Sequence, residues 1–478
     1  VHAGKRFLLL QDPFGLWCSY HAPKDEAVQE PNLYENMRVR TDRSNRDDWI
    51  YQHCKNVINA SSPDDAERFR NTLRAMVRGA DGIIGASLWD LRTQDGLWGG
   101  VNLLMRIDGI KSVFGDYCYR IVQLKRAHDL KEHYAMQTTI MNAILSEIQG
   151  FYCADALFVL KDKEQSLHCE SEHEKAMAHL DDWRAIKAGT LVPEAKKPPK
   201  AALAPWRVFA NKYVFEHKDL ILLPHLNAQQ RAVLRGAGLK NYDEVADAGQ
   251  PRLKELLKDP LTGDEKAASE TYKNAMAFKL DKPISKGGPW PLKPKKRNLY
   301  FDFEATETFT KNSVSFIYLI GVWDKEADKF TYFIAKNEAE EEVIFKQFAD
   351  FMGDPQEAAL YHWTEYEVKK MQTLAKKYPA VKYQLESLLS ACIDLKIVVE
   401  KAFYLPSPSL SLKAAAPAFG FNWRQSDVGA MDSMVYFTRW LQTGEQPLLD
   451  KVLMYNEDDC KAMLFVEDYL KTHEVVNL

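Results

Sequence analysis

The stretch NLYFDFEATE, residues 298–307, constrains the fold more than any other part of the chain. Asn298 to Phe303 is rich in Leu, Tyr and Phe and alternates loosely, the pattern of a half-buried strand. Side chains at i and i+2 leave a strand on the same face, so Asp302 and Glu304 must point the same way. Two like charges on one face of a core strand are costly unless something neutralises them. Whatever folds around this strand must therefore bring an offsetting group to that face.

Two breaks organise the rest. VPEAKKPPKAALAPW, residues 192–206, is rich in Lys and Pro and reads as a linker. KPISKGGPWPLKPKKR, residues 282–297, combines Gly-Gly, four prolines and a basic run, then passes straight into the carboxylate strand. Three parts are expected: residues 1–165, a middle segment 166–296 and a C-terminal domain 297–478. No internal repeat of the solenoid kind is visible.

In the C-terminal part, strands are predicted over 299–304, 314–323 and 330–335, followed by a helix in EAEEEVIFKQFADFM whose first-turn acids suit the macrodipole. A short strand over 358–361 and a helix in HWTEYEVKKMQTLAKKY come next, and helical segments fill the remainder. This order is that of an α/β layered fold. It supplies partners for the opening pair. YHWTEYE places Glu367 early in a helix just after a strand, and YNEDDC puts Tyr455 and Asp459 four apart on one helix face. Four acids from separate segments suit two divalent cations about 4 Å apart, which would activate a water and stabilise the leaving oxygen of a phosphodiester. Carboxylates fit because Mg²⁺ and Mn²⁺ are hard ions.

From residue 297 onward the sequence resembles the DEDD-type, ribonuclease H-like 3′–5′ exonucleases, particularly the predicted ribonuclease H-like domain that accompanies RecB-like nuclease domains. The resemblance implies that DFEAT, YHWTEYE and YNEDDC are the three exonuclease motifs. Asp302, Glu304, Glu367 and Asp459 would then be metal ligands for two Mg²⁺ or Mn²⁺ ions, with Tyr455 aligning the water. Glu367 stands where many relatives carry Asp, and Asp394, in ACIDLKIVV, is the fallback fourth ligand. SLSLKAAAPAFGF, with Lys413 as a nucleic-acid-binding cation, is a further landmark.

Residues 99–145 read as strand, turn, strand and helix, with strands over 101–107 and 119–125 and an amphipathic helix in KEHYAMQTTIMNAILSEI. This resembles the PD-(D/E)xK nuclease core in its RecB-like form, over about residues 7–160. That family carries an acid on each strand. Here Asn102 and Gln123 stand at those positions, while Lys125 fits the family lysine. Gln137 matches the Gln of the helix motif, and Met141 replaces its Tyr. Neutral amides deprive a divalent ion of its charge partners, so this copy is expected to be catalytically silent and to serve binding or assembly. Natural and deliberate substitution read alike.

Relatives often hold an iron–sulfur cluster with one early and three late cysteines. Cys18 is early, but only Cys153 and Cys169 follow in this region, so no cluster is expected. His128 and His133, at i and i+5, make no ligand face. In the middle segment, LPHLNAQQRAVLRGAGLKNYDEVADAG resembles helix-hairpin-helix modules that hold a phosphate backbone, with Arg231, Arg235 and Lys240 adding charge. A plain helical spacer is the other reading, and LKPKKR reads either as a backbone-tracking run or as a solvated linker.

Seven scattered cysteines argue against a disulfide framework. No apolar run nears the roughly 18 residues of a membrane span, and no secretory pattern opens the chain, so a cytoplasmic protein is expected. The net charge of −4 does not exclude a nucleic-acid binder, which needs only a local basic surface. The expectation is a two-metal nuclease acting on DNA or RNA. The alternatives are a non-catalytic nucleic-acid-binding subunit and cleavage by the N-terminal domain. No P-loop is present, so a helicase, or a defence or repair complex, would be a separate partner.

Overall fold

Short apolar runs bounded by glycines and polar turns assemble into two main sheets, one in each half of the chain. The computed structural model describes residues 11–28, 48–92, 97–125, 127–258, 265–287, 295–306, 315–425 and 428–472. Described residues up to Val214 form one compact unit and those from Phe215 onward form a second.

The first unit is built on a six-stranded mixed sheet. Its strands run in the order Val57–Asn59, Gly82–Ile84, Leu103–Ser112, Gly115–Leu124, Asp155–Val159 and Glu164–His168. The first two strands are parallel, as are the fourth and fifth. Parallel neighbours need a crossover, which the helices Asp65–Val77 and Glu132–Gln149 provide. Asp64 caps the first of these by accepting from Glu67 N at 2.6 Å. Gly150, with φ 65°, ends the second in the left-handed conformation that a glycine adopts without steric cost. The two long strands reach further towards their shared turn than the sequence alternation indicates. Pairing continues to Ser112 opposite Gly115 although Asp108, Gly109 and Lys111 are no longer apolar. Tyr119, Met141, Leu145 and Phe158 form the core, joined by Trp183 and Ile186 of the helix His173–Ala188. Ala201, Ala202 and Trp206 of the Pro-rich stretch are buried in the same unit, where Trp206 Nε1 donates to Ser19 Oγ at 2.8 Å.

The second unit opens with helices. Ala228–Gly236 leads through a glycine turn to Tyr242–Leu257, which is broken at Gly249, and then to Lys266–Leu280. Ile284–Ser285 pairs antiparallel with Phe403–Tyr404. The main sheet has five strands in the order Lys329–Ile334, Ile317–Asp324, Arg297–Ala305, Ala358–His362 and Cys392–Asp394. The first three form an antiparallel meander and the last two add in parallel. The strand Cys392–Asp394 lies where the sequence indicates helix; three half-buried residues are too short for a period to show. Val314 of the expected second strand lies outside the described residues.

Alternation along Arg297–Ala305 sorts its side chains cleanly. Leu299, Phe301 and Phe303 pack on one face against Phe345 and Phe348 of the helix Glu341–Met352. Tyr300 faces the other side, where Cys460, Met463 and Val466 of the long helix Gln446–Thr472 cover the sheet. Asp302 and Glu304 share the parity of Tyr300 and so point beneath that helix. Among the described residues, no helix is long and apolar enough to cross a membrane.

Candidate metal centre

The long helix meets the sheet through residues three and four apart, the spacing of a single face. Val452, Tyr455, Asn456, Asp459, Cys460, Met463 and Val466 are all buried. Asn456 and Asp459 are thus polar groups on an otherwise apolar stripe, set against the strand that carries Asp302. Ligand oxygens of Asp302, Glu304 and Asp459 lie within 4.8 Å of one another, the sole such group among the described residues. Glu304 and Asp459 are 6% and 8% exposed, and Asp302 keeps partial exposure.

Crowding like charges away from water favours the neutral acids. Burial, then Asp459 and Glu304, holds the Asp302 carboxyl well above the usual range. Burial and Asp459 do the same to Glu304. Burial lifts Asp459 to about 6, opposed by hydrogen bonds from Trp423 and Tyr455 and by the charge of Lys413. Trp423 Nε1 donates to Asp459 Oδ1 at 2.7 Å, and Tyr318 Oη donates to Glu304 Oε2 at 3.4 Å. Asn456 Nδ2 donates to Asp302 Oδ2 at 2.8 Å. These donors orient the carboxylates without neutralising them.

Glu367 stands at the start of the helix Tyr366–Lys377, 3% exposed, with its Oε2 buried and lacking a hydrogen-bond partner among the described residues. Burial, Asp394 and Asp459 raise it to about 8. It belongs to the same electrostatic cluster but lies outside the close trio. Asp394 does other work: its Oδ1 accepts from Lys396 N at 2.9 Å and from Thr364 N at 3.2 Å, capping the helix Leu395–Ala402. Tyr455 is buried beside Asp459, and burial pushes its phenol up. The Lys413 ammonium lies 4.8 Å from the Tyr455 ring centre and donates to the Val428 carbonyl. Of the three consecutive acids Glu457, Asp458 and Asp459, the first two are engaged by Arg424, at 2.7 Å each. Only Asp459 is left for the cluster.

The other sequence candidates lie elsewhere. Asn102 Oδ1 accepts from Leu124 N at 3.1 Å, Gln123 is buried, Gln137 is half-buried, and Lys125 Nζ sits 4.7 Å from the Tyr134 ring centre. In the helical segment, Arg231 is buried and donates to the Leu226 carbonyl, Arg235 pairs with Asp219 at 3.0 Å, and Lys240 is exposed. Cys18, Cys153 and Cys169 are buried free thiols. His128 pairs with Asp162, and His133 stacks edge-on with Tyr134 at 4.2 Å. Asn456, Trp423, Tyr318 and His362 escape a motif reading. Only Asn456 leaves a trace in sequence, as an amide on an apolar helix face.

A family model described as RNase_H superfamily matches residues 299–471. No curated protein matches the sequence. Among solved structures, the chain is similar to the family B DNA polymerase from the hyperthermophilic archaeon Pyrobaculum calidifontis, at 15% identity and a TM-score of 0.26. That match covers 48% of this chain and 34% of the polymerase, so the chain spans about a third of the polymerase's length, and the likeness is too slight to carry an argument. Residues 299–471, with their buried acidic cluster, form a ribonuclease H-like domain, which points to metal-dependent nuclease chemistry on nucleic acid.

Proposed function

We propose that the C-terminal domain hydrolyses phosphodiester bonds of DNA or RNA by a two-metal mechanism, trimming strands from the 3′ end. The observation that carries this is the convergence of Asp302, Glu304 and Asp459 within 4.8 Å beneath one helix, with Glu367 and Tyr455 beside them. The residues suit hard divalent cations: every donor is a carboxylate oxygen, and the buried Oε2 of Glu367 accepts no hydrogen bond from the described residues. Asp302, Glu304, Glu367 and Asp459 would hold two Mg²⁺ or Mn²⁺ ions, which when bound supply Lewis acidity towards the phosphoryl group and a water of lowered pKa. Asn456, Trp423 and Tyr318 hold three carboxylates in fixed orientations. The Tyr455 hydroxyl is the group that orients the attacking water, and Lys413 offers a positive charge for a phosphate oxygen.

In the same reading, the first unit is a RecB-like PD-(D/E)xK domain that binds nucleic acid without cutting it, because Asn102 and Gln123 replace the charged ligands. The helical segment presents the strand through its exposed Lys240. DNA and RNA labelled separately at each end, with Mg²⁺, Mn²⁺ or EDTA, test this. Wild type and Lys125→Ala should ladder from the 3′ end with metal, and Asp302→Ala/Glu304→Ala should not. Binding without cleavage by wild type would instead make the chain a nucleic-acid-binding subunit.

A further inference from the structure

Thr364 joins the strand Ala358–His362 to the helix Tyr366–Lys377 with a φ of 78°. A β-branched residue in the left-handed region is a genuine outlier, because its Cβ crowds the following carbonyl oxygen. Such a conformation persists only where the surroundings over-determine it.

Two side chains do so here. His362 Nδ1 donates to the Thr364 carbonyl at 2.6 Å, and Asp394 Oδ1 accepts from Thr364 N at 3.2 Å. The same Asp394 oxygen also accepts from Lys396 N at 2.9 Å and Ile397 N at 3.4 Å. The turn is therefore tied to a strand on one side and to a helix N-terminus on the other. His362 is 2% exposed, so its ring has no room to swing away.

The turn sets where the following helix begins. Sequence pattern alone runs the helix from His362, whereas the left-handed residue delays it to Tyr366. Glu367 is the second residue of that helix and takes its direction from it. Its Oε2 lies 3.7 Å from His362 Nδ1, whose proton is committed to Thr364.

We propose that His362 and Asp394 brace the Thr364 turn and thereby aim Glu367 at Asp302, Glu304 and Asp459, which makes both of them positioning residues and leaves Asp394 outside the ligand set. This rests on the metal-binding reading given above. The strain is kept because it places the fourth carboxylate; a relaxed turn would start the helix in a different phase.

The test uses the full chain as wild type, Asp394→Asn, Asp394→Ala, Thr364→Gly, the double variant Asp394→Ala/Thr364→Gly and Glu367→Gln. Each is titrated with Mn²⁺ by calorimetry and melted in EDTA. Asp394→Ala should weaken Mn²⁺ binding by about 10–100-fold, as loss of a supporting group does. Asp394→Asn keeps the acceptor oxygen and the cap but not the charge, and should stay within about threefold of wild type. Glycine tolerates the left-handed region, so the double variant should recover most of the affinity lost by Asp394→Ala. In EDTA, Asp394→Ala should lower the melting temperature less in the Thr364→Gly background than in wild type.

Asp394→Asn binding as weakly as Glu367→Gln would make Asp394 a ligand and overturn the proposal. Wild-type affinity in Asp394→Ala would overturn it as well. A wild type that takes up no Mn²⁺ refutes the metal-binding reading and the aiming of Glu367 with it. Absence of coupling in the metal-free melts refutes the brace even if Mn²⁺ binds, so the two failures are distinguishable.

Discussion

Gly321→Ala strikes the metal centre without touching a carboxylate. Gly321 lies directly opposite Asp302 in the antiparallel register. A Cβ built there would stand 1.7 Å from Asn456 Oδ1 and 2.9 Å from both Asn456 Cγ and Phe330 Cε2. Asn456 is fully buried and cannot rotate away without abandoning Asp302. Overpacking of this kind costs about 1–3 kcal/mol. Losing the hydrogen bond to Asp302, whose carboxyl is held well above the usual range by burial and its acidic neighbours, adds about 0.5–1.5 kcal/mol. The expected total is about 1.5–4.5 kcal/mol, which lowers the melting temperature by about 3 °C or more for a domain of this size. Thermal unfolding of Gly321→Ala, Asn456→Ala and the double variant reads this directly. Removing the Asn456 side chain removes the tightest clash and leaves the one with Phe330, so the double variant should be more stable than the sum of the singles implies, by about 1–2 kcal/mol. A Gly321→Ala chain within about 0.5 kcal/mol of wild type, or strict additivity, refutes the argument that the missing side chain makes room for Asn456.

Further outcomes follow from other contacts. Glu367, raised to about 8 chiefly by burial, binds its proton more tightly folded than unfolded. Its contribution is fully present below about pH 4.5 and is lost as pH climbs through 8, so urea midpoints in EDTA should fall more steeply from pH 6 to 8 in wild type than in Glu367→Gln. Trp423→Phe removes the donor to Asp459 Oδ1 and should cost about 1.5–3 kcal/mol in the presence of Mn²⁺, when the carboxylate is ionised, read as a reduced thermal shift. Lys240→Ala should reduce the salt slope of single-stranded DNA binding by about 1, whereas Arg231→Ala, which deletes a buried side chain bonded to the Leu226 carbonyl, should show first as lost stability. Binding titrations at several salt concentrations, beside melts, separate these two.

Much of the site was legible because it obeys periods. The i, i+2 spacing of Asp302 and Glu304 set their shared face, and the i, i+4 spacing of Tyr455 and Asp459 set theirs; the structure brings the two faces together. The acids Glu457 and Asp458 are indistinguishable from Asp459 by composition. Arg424, more than thirty residues away, is what removes them, and a pairing of that range leaves no local signal. Trp423 and Tyr318 are likewise unmarked: an indole or phenol donor to a carboxylate looks in sequence like any other core aromatic. The helix after His362 starts late because Thr364 adopts a conformation that propensity argues against, held by a residue thirty positions on. Cys392–Asp394 was hidden by brevity, and its aspartate, which the family resemblance offers as a fallback ligand, is engaged as a helix cap. The α/β layering of the C-terminal part followed from local patterning, whereas the groups that orient the carboxylates depend on contacts between distant segments.

The most direct test of the central claim is to locate bound Mn²⁺ by anomalous diffraction from crystals grown with that ion. The account predicts two anomalous peaks in contact with Asp302, Glu304, Glu367 and Asp459, with Asp394 still bonded to the Thr364 and Lys396 amides. No peak at these carboxylates, or peaks held instead by residues of the first unit, would contradict it.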